Sequence, residues 1–250
     1  MVSGLVIIPT FNERANVEAL NGAVRAAAPD VDLLFVDDNS PDGTGVLLDE
    51  LAERNPHLHV LHRDQKQGLG RAYIAGFQWA LERDYAAILE MDADFSHDPR
   101  DIPRLLAAAE TADVVLGSRY IGGIRVINWP LSRLILSRTA GYYVRAITGL
   151  PLSDPTGGFR CYRRTVLEHL DLDRITSSGY AFQIEMAHAA WMAGFQLAEI
   201  PITFEERRSG ESKMGAAIVR EALWKVWALW FAAGCRRTPP RMCGKITNGF

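Results

Sequence analysis

Short apolar runs alternate with helical patterns through the first half of this chain, and that alternation restricts its fold more than any other feature. Residues 5–8, 33–36, 58–61, 86–89 and 114–116 are rich in Leu, Ile, Val and Ala, and the intervening 16–28, 44–54, 70–82 and 99–111 carry helical character. Strands that are apolar throughout are buried on both faces. Alternating with helices, they predict an α/β fold: a mostly parallel twisted sheet with helices on both faces. In such a sheet, ligands bind beyond the carboxyl ends of the strands. Polar clusters at 9–12, 37–44 and 92–98 each follow directly after an apolar run, so they are expected to converge on one edge.

The most informative cluster is Met91-Asp92-Ala93-Asp94-Phe95-Ser96. Side chains alternate along an extended strand, which predicts that Asp92, Asp94 and Ser96 share one side. Two carboxylates at that spacing can hold a divalent cation and leave positions open; magnesium is usually held by one or two carboxylates plus substrate phosphates. The competing reading is a strand-end turn with solvated aspartates. Glu13 and the 37–43 segment place further acids at neighbouring strand ends, where carboxylates accept hydrogen bonds from ribose hydroxyls and base N–H groups. The 37–43 segment also reads as an Asx-type turn capping a helix at Thr44. Neither GxxxxGK[ST] nor a GxGxxG after the first strand is present, which disfavours the P-loop and dinucleotide-binding readings. Gly68-Leu69-Gly70 reads as a helix start.

Beyond Tyr120 the regular alternation stops. Residues 128–148 form a basic, apolar-rich segment of one or two helices, 154–159 a tight Pro/Gly loop, 180–193 a helix, 196–203 a strand and 216–233 a last helix. The expected organisation is a domain over 1–215, followed by an amphipathic helix and tail over 216–250. The net charge of −3 conceals an asymmetry. Asp113 to Asp154 encloses no acid but five arginines, and after Glu221 there is again none, while Lys225, Arg236, Arg237, Arg241 and Lys245 are present. Acid-free, basic, apolar segments on an acidic chain point to an anionic surface, and no nucleic-acid partner is expected. The uncharged run 226–235 is too short for a span of ~20 residues. The tryptophans 224, 227 and 230 beside basic residues fit an interfacial helix or one docked on the core. Cys161, Cys235 and Cys243 lack metal-ligand spacing, which suggests a reducing compartment and no zinc site. The first residues show no secretory pattern.

Ile7-Ile8-Pro9-Thr10-Phe11-Asn12-Glu13, the 37–43 segment, 68–75, Asp92-Ala93-Asp94 and Gly117-Ser118-Arg119-Tyr120 together resemble family 2 glycosyltransferases of the GT-A fold. More narrowly, 129–137, 154–160, 179–185 and 207–213 resemble polyprenol- or dolichol-phosphate mannose synthases. The resemblance implies inverting transfer of mannose from GDP-mannose to a polyprenyl phosphate. It places donor contacts on Pro9, Phe11, Glu13, Val36, Asp38, Ala93, Arg119, Arg207 and Lys213. It places Mg2+ or Mn2+ on Asp92, Asp94 and Ser96, where relatives commonly have Gln in place of Ser96. Arg133 and Ser137 fall on the acceptor-phosphate positions, and Asp92, Asp94 and Arg119 on the catalytic ones. The implied location is the cytoplasmic side, peripherally on the membrane face; recruitment by an integral-membrane partner stays open.

The residues themselves agree with this chemistry. A nucleoside diphosphate leaving group needs a metal and fixed cations, which Arg119, Arg207 and Lys213 are placed to supply. A phosphate monoester has a second pKa near ~6, so its oxygen is already anionic and needs no base. Asp154 is the candidate if a base exists, or else a loop-organising residue. The rival readings are a polyprenyl-phosphate glucose synthase using UDP-glucose and a non-catalytic nucleotide-sugar-binding module. A processive polysaccharide synthase is disfavoured by the lack of QxxRW.

Overall fold

The computed structural model describes residues 3–205 and 216–239, with side chains of the last helix described from Leu223 onward. The elements run β1 (Gly4–Thr10), α1 (Val17–Ala27), β2 (Asp32–Asp37), α2 (Thr44–Arg54), β3 (Leu58–His62), α3 (Leu69–Leu81), β4 (Ala87–Glu90), α4 (Ile102–Ala108) and β5 (Val114–Ser118). They continue with β6 (Val126–Ile127), α5 (Leu131–Thr148), β7 (Arg160–Arg163), α6 (Arg164–His169), α7 (Gly179–Met192), β8 (Leu197–Pro201), β9 (Phe204–Glu205) and α8 (Ala216–Ala232). All five apolar runs are strands, and the basic 128–148 segment forms a single helix.

The main sheet has the order β3-β2-β1-β4-β7-β5-β8. Its period-2 pattern divides the core in two. Leu5, Ile7, Leu34, Val36 and Ile88 belong to one buried cluster, and Val6, Ile8, Leu33, Phe35 and Leu89 to the other. Each strand therefore feeds both faces, which is why the runs show no polar alternation. The strands are parallel except β7, which lies antiparallel between β4 and β5, with Cys161 opposite both Leu89 and Val115. This strand was not foreseen, because Arg160-Cys161-Tyr162-Arg163 shows two arginines in four residues rather than an apolar run. Its register buries Arg160 completely.

Helices α3 and α7 approach closely where they flank the sheet's carboxyl edge. A Cβ on Gly70 would stand 2.5 Å from the Ser177 carbonyl oxygen and 2.9 Å from the Phe182 ring, so only glycine fits there. Tyr73 and Phe182 then stack across the seam with ring centroids 5.9 Å apart. Helix α8 rests on α5 and α7. Val226 is buried, Lys225 Nζ lies 2.7 Å from Glu185 Oε1, and the Tyr143 hydroxyl donates to the Leu223 carbonyl at 3.1 Å. Its other side exposes Trp224, Trp227 and Phe231, so the helix docks on the core and leaves an apolar face exposed. Among the described residues no helix is long and apolar enough to cross a membrane.

Candidate active site

The loops after β1, β2, β3, β4 and β5 enclose a polar cleft of about 360 Å³. It is lined by Pro9, Phe11, Glu13, Asp38, Asp92, Ala93, Asp94, Ser96 and Arg119, so nine of the positions read from the sequence meet in one place. The Val36 side chain is not among those lining it; this β2 residue is fully buried in the core cluster on one face of the sheet. Arg207 and Lys213 lie outside the described residues.

The two acids at the end of β2 have different tasks. Asp37 accepts from the Ser40 N–H at 3.0 Å and from the Ser40 and Thr10 hydroxyls, while Asp42 accepts from the Thr44 N–H at 3.0 Å and starts α2. These are turns of the Asx type; the N-cap of α2 itself is Gly43, in the left-handed region at φ 84°, without a side-chain cap bond. Asp38, in contrast, borders the cleft and is held by Arg63 at 2.7 Å. Burial raises its carboxyl above the ordinary value despite that guanidinium. Lys66 crowns the same corner, with its ammonium 3.8 Å from the Phe11 ring centroid.

The Asp92–Ser96 segment is not extended, as the strand reading required. β4 stops at Glu90, and the chain folds back so that the Asp92 N–H donates to His97 Nδ1 at 3.1 Å, with Phe95 in the left-handed region at φ 61°. A loop rather than strand alternation thus gathers the three side chains. The Tyr73 hydroxyl donates to Asp92 at 3.4 Å, and the Ser96 N–H donates to Asp94 at 3.1 Å. Ser96 Oγ is buried without a hydrogen-bond partner among the described residues. Burial pushes His97 below the ordinary imidazole range, against the pull of Asp92 and Asp94. Behind the loop, burial lifts the Glu90 carboxyl to about 7, and Gln183 Nε2 donates to it at 2.8 Å.

No group of three or more His, Cys, Asp or Glu side chains suited to a metal occurs among the described residues. Two carboxylates and an orphaned hydroxyl facing a cleft nevertheless fit a cation that takes its remaining ligands from phosphates.

Arg119 and Asp154 form a bidentate pair: Arg119 Nε donates to Oδ2 at 2.6 Å and Nη2 to Oδ1, while the Arg119 N–H adds a bond at 3.0 Å. Burial would raise the Asp154 carboxyl, but the charge and hydrogen bonds of Arg119 outweigh it and hold the carboxyl below its ordinary value. Asp154 therefore organises its loop and is not disposed as a base. The same pair orients the Arg119 guanidinium, which stays charged and lines the cleft. Glu199 accepts from the Ser153 and Asp154 N–H groups at 2.8 Å each. Arg160 donates to the carbonyls of Pro155, Gly157 and Gln183 at 2.6–2.8 Å, which fixes the other end of the loop.

A second cavity of about 230 Å³ adjoins the cleft. Arg133 and Ser137 border it, and its remaining walls are chiefly apolar, with Leu136, Val144, Ile184 and Val226 drawn from α5, α7 and α8. Ser137 Oγ accepts from the Tyr120 hydroxyl at 2.6 Å. The guanidinium carbons of Arg133 and Arg119 lie 4.1 and 5.2 Å from the Trp129 ring centroid, a cation–π arrangement that sets both beside one indole. Phe204 of β9 meets Trp129 edge-on at 5.4 Å, so the small β6–β9 sheet forms the lip of the site.

Sequence reading missed Lys66, His97, Thr156, Tyr180 and Gln183 as lining residues. Lys66 follows the end of β3, where the carboxyl-edge rule already pointed. Tyr180 and Gln183 lie in the 179–185 segment that carries the resemblance, but no role was placed on either, because their helix reaches the cleft only through the tertiary fold.

Carboxylates in a polar cleft at the carboxyl edge of an α/β sheet, opening onto an arginine-bordered apolar cavity, define a two-substrate transferase site. The chain belongs to glycosyltransferase family 2: the profile described as "Glycosyl transferase family 2" matches residues 5–171. It is 52% identical over 232 residues to polyprenol monophosphomannose synthase of Mycolicibacterium smegmatis, with 92% of this chain and 87% of that protein covered. It is 49% identical to undecaprenyl-phosphate mannosyltransferase of Micrococcus luteus, covering 90% and 95%. Among solved structures, the fold is shared with glucosyl-3-phosphoglycerate synthase of Mycobacterium tuberculosis in complex with Mn2+, UDP-glucose and phosphoglyceric acid (TM-score 0.66, 17% identity, 96% of this chain and 82% of that one). It is also shared with a mannosyltransferase of Pyrobaculum calidifontis in complex with GDP-mannose and Mn2+ (TM-score 0.55, 18% identity, 93% and 75%). The protein is a glycosyltransferase.

Proposed function

We propose that this enzyme transfers mannose from GDP-mannose to a polyprenyl phosphate, with inversion at the anomeric carbon. The observation that carries the reading is the pairing of chambers: an acid-lined polar cleft shares walls with an apolar cavity bordered by Arg133. A nucleotide-linked sugar suits the first, and a phosphate on a hydrocarbon chain suits the second. Relatives at about half identity are named polyprenol monophosphomannose synthase and undecaprenyl-phosphate mannosyltransferase, which supports the mannosyl and polyprenyl-phosphate parts of the reading. Glu13 and Asp38 offer two acceptors to a base, which matches the N–H groups of guanine better than the single one of uracil. Asp92 and Asp94 would hold Mg2+ or Mn2+, with Ser96 Oγ beside them, and the bound cation would offset the charge of the departing diphosphate. The acceptor phosphate arrives as an anion, so no side chain needs to take a proton from it. The test is a transfer assay that pairs GDP-mannose or UDP-glucose with a short polyprenyl phosphate. Product from GDP-mannose alone is expected; equal or faster use of UDP-glucose would refute the donor assignment.

Arg133 is assigned to the acceptor phosphate, which its planar fork can pair bidentately. Loss of such a charged contact costs about 1.5–3 kcal/mol, or roughly 10–100-fold. Arg133→Ala is therefore expected to raise the acceptor KM by that factor while GDP affinity, read by calorimetry, stays near wild type. A loss of GDP affinity as large as that of Asp92→Ala would place Arg133 in the donor site instead.

Attachment to the membrane is assigned as peripheral, on the cytoplasmic face. Exposed Leu131, Ile135 and Tyr142 on α5 and Trp224, Trp227 and Phe231 on α8 supply apolar contact, and the basic segments supply attraction to anionic lipid. Screening shortens the reach of exposed charges to about 3 Å at 1 M salt. In flotation, anionic vesicles should retain more protein than neutral ones and should release part of it at high salt. Equal binding to both at every salt level would remove the electrostatic component.

A further inference from the structure

Three residues, Arg119, Thr156 and Tyr180, border both the polar cleft and the apolar cavity. They mark the seam across which a group must pass from one substrate to the other. Two of the three are already committed. The Arg119 guanidinium is held by Asp154, and Thr156 Oγ1 accepts from Arg119 at 2.9 Å and leans toward Asp154 at 3.4 Å. Tyr180 is different. It is half-buried in the first turn of α7, and no hydrogen bond to another described residue holds its hydroxyl. Its neighbours Ser178 and Gly179 line the cleft, while Ile184, one turn further on, lines the cavity, so the start of α7 straddles the seam. The amide dipoles of this 14-residue helix direct partial positive charge toward the same place.

We infer that Tyr180 is a substrate-contacting residue, donating its phenolic O–H to a non-bridging oxygen of the acceptor phosphate as that phosphate reaches across the seam. In the transfer, another oxygen of this phosphate forms the bond to the anomeric carbon. The bond from that carbon to the diphosphate breaks, and the electron pair leaves with the diphosphate. Tyr180 keeps its proton throughout and acts by holding the nucleophile in line, so that it, and not water, meets the sugar. The inference rests on reading the cleft as the donor site and the cavity as the acceptor site.

Tyr180→Phe tests it, since the ring stays and only the hydroxyl is lost. With GDP-mannose and a short polyprenyl phosphate, kcat for transfer should fall about 10–100-fold, the worth of a hydrogen bond to a charged group. Calorimetric GDP affinity should stay within about twofold, and the thermal midpoint should hold. The ratio of transfer to donor hydrolysis should drop, a readout that loss of packing alone does not move in this direction. Wild-type kcat and an unchanged ratio in Tyr180→Phe would overturn the inference. So would a tenfold loss of GDP affinity, which would assign the hydroxyl to the donor. A wild-type enzyme inactive with both substrates would instead refute the proposed function, and the same variant would then be compared on whichever nucleotide sugar the wild type consumes.

Discussion

Asp92→Ala and Asp94→Ala are each expected to nearly abolish transfer. Both carboxylates line the cleft, and under the proposed function they would hold the cation that faces the diphosphate. A bound cation is worth several kcal/mol to a developing anionic leaving group; taking about 4 kcal/mol gives a loss of roughly a thousandfold. Ser96→Ala should be milder, because a hydroxyl adds a neutral and weaker donor than a carboxylate. EDTA should silence the wild type, and Mg2+ or Mn2+ should restore it. Full activity of Asp94→Ala, or activity indifferent to EDTA, would sink the metal assignment.

Asp154→Ala is expected to cost both stability and activity. The substitution leaves the Arg119 guanidinium buried without its carboxylate, and breaking such a pair typically costs about 3–5 kcal/mol. It also frees the loop bearing Thr156 at the seam between the two chambers. A lowered denaturation midpoint should therefore accompany the loss of transfer. Were Asp154 a general base, activity would fall with the midpoint unchanged, so the two measurements together decide its role. Because the folded carboxyl is held below its ordinary value, this contribution is complete above the unfolded value near ~3.9 and is lost as pH falls through the lowered one. Acid unfolding of the wild type should show that component, and Asp154→Ala should lack it.

The strand pattern made the site's location legible before its geometry. Runs apolar on both faces required a covered sheet, and the acids at their ends required a common edge; Glu13, Asp38, Asp92 and Asp94 do meet there. The reasoning failed where long-range packing replaces local pattern. β7 carries Arg160 into the core, and its charge is met by three carbonyls from a loop and a helix that no window of sequence contains.

Sequence alone determined the α/β class, the edge at which ligands gather and the residue types available there, because periodicity and strand-end position are properties of neighbours along the chain. Tertiary structure decided which of those residues are available to a substrate. Asp37 and Asp42 are engaged in turns, Asp154 is paired with Arg119, and Tyr180 is brought to the seam by a helix that can approach α3 only over Gly70. Pairing depends on distance through space, and no window of sequence contains that distance.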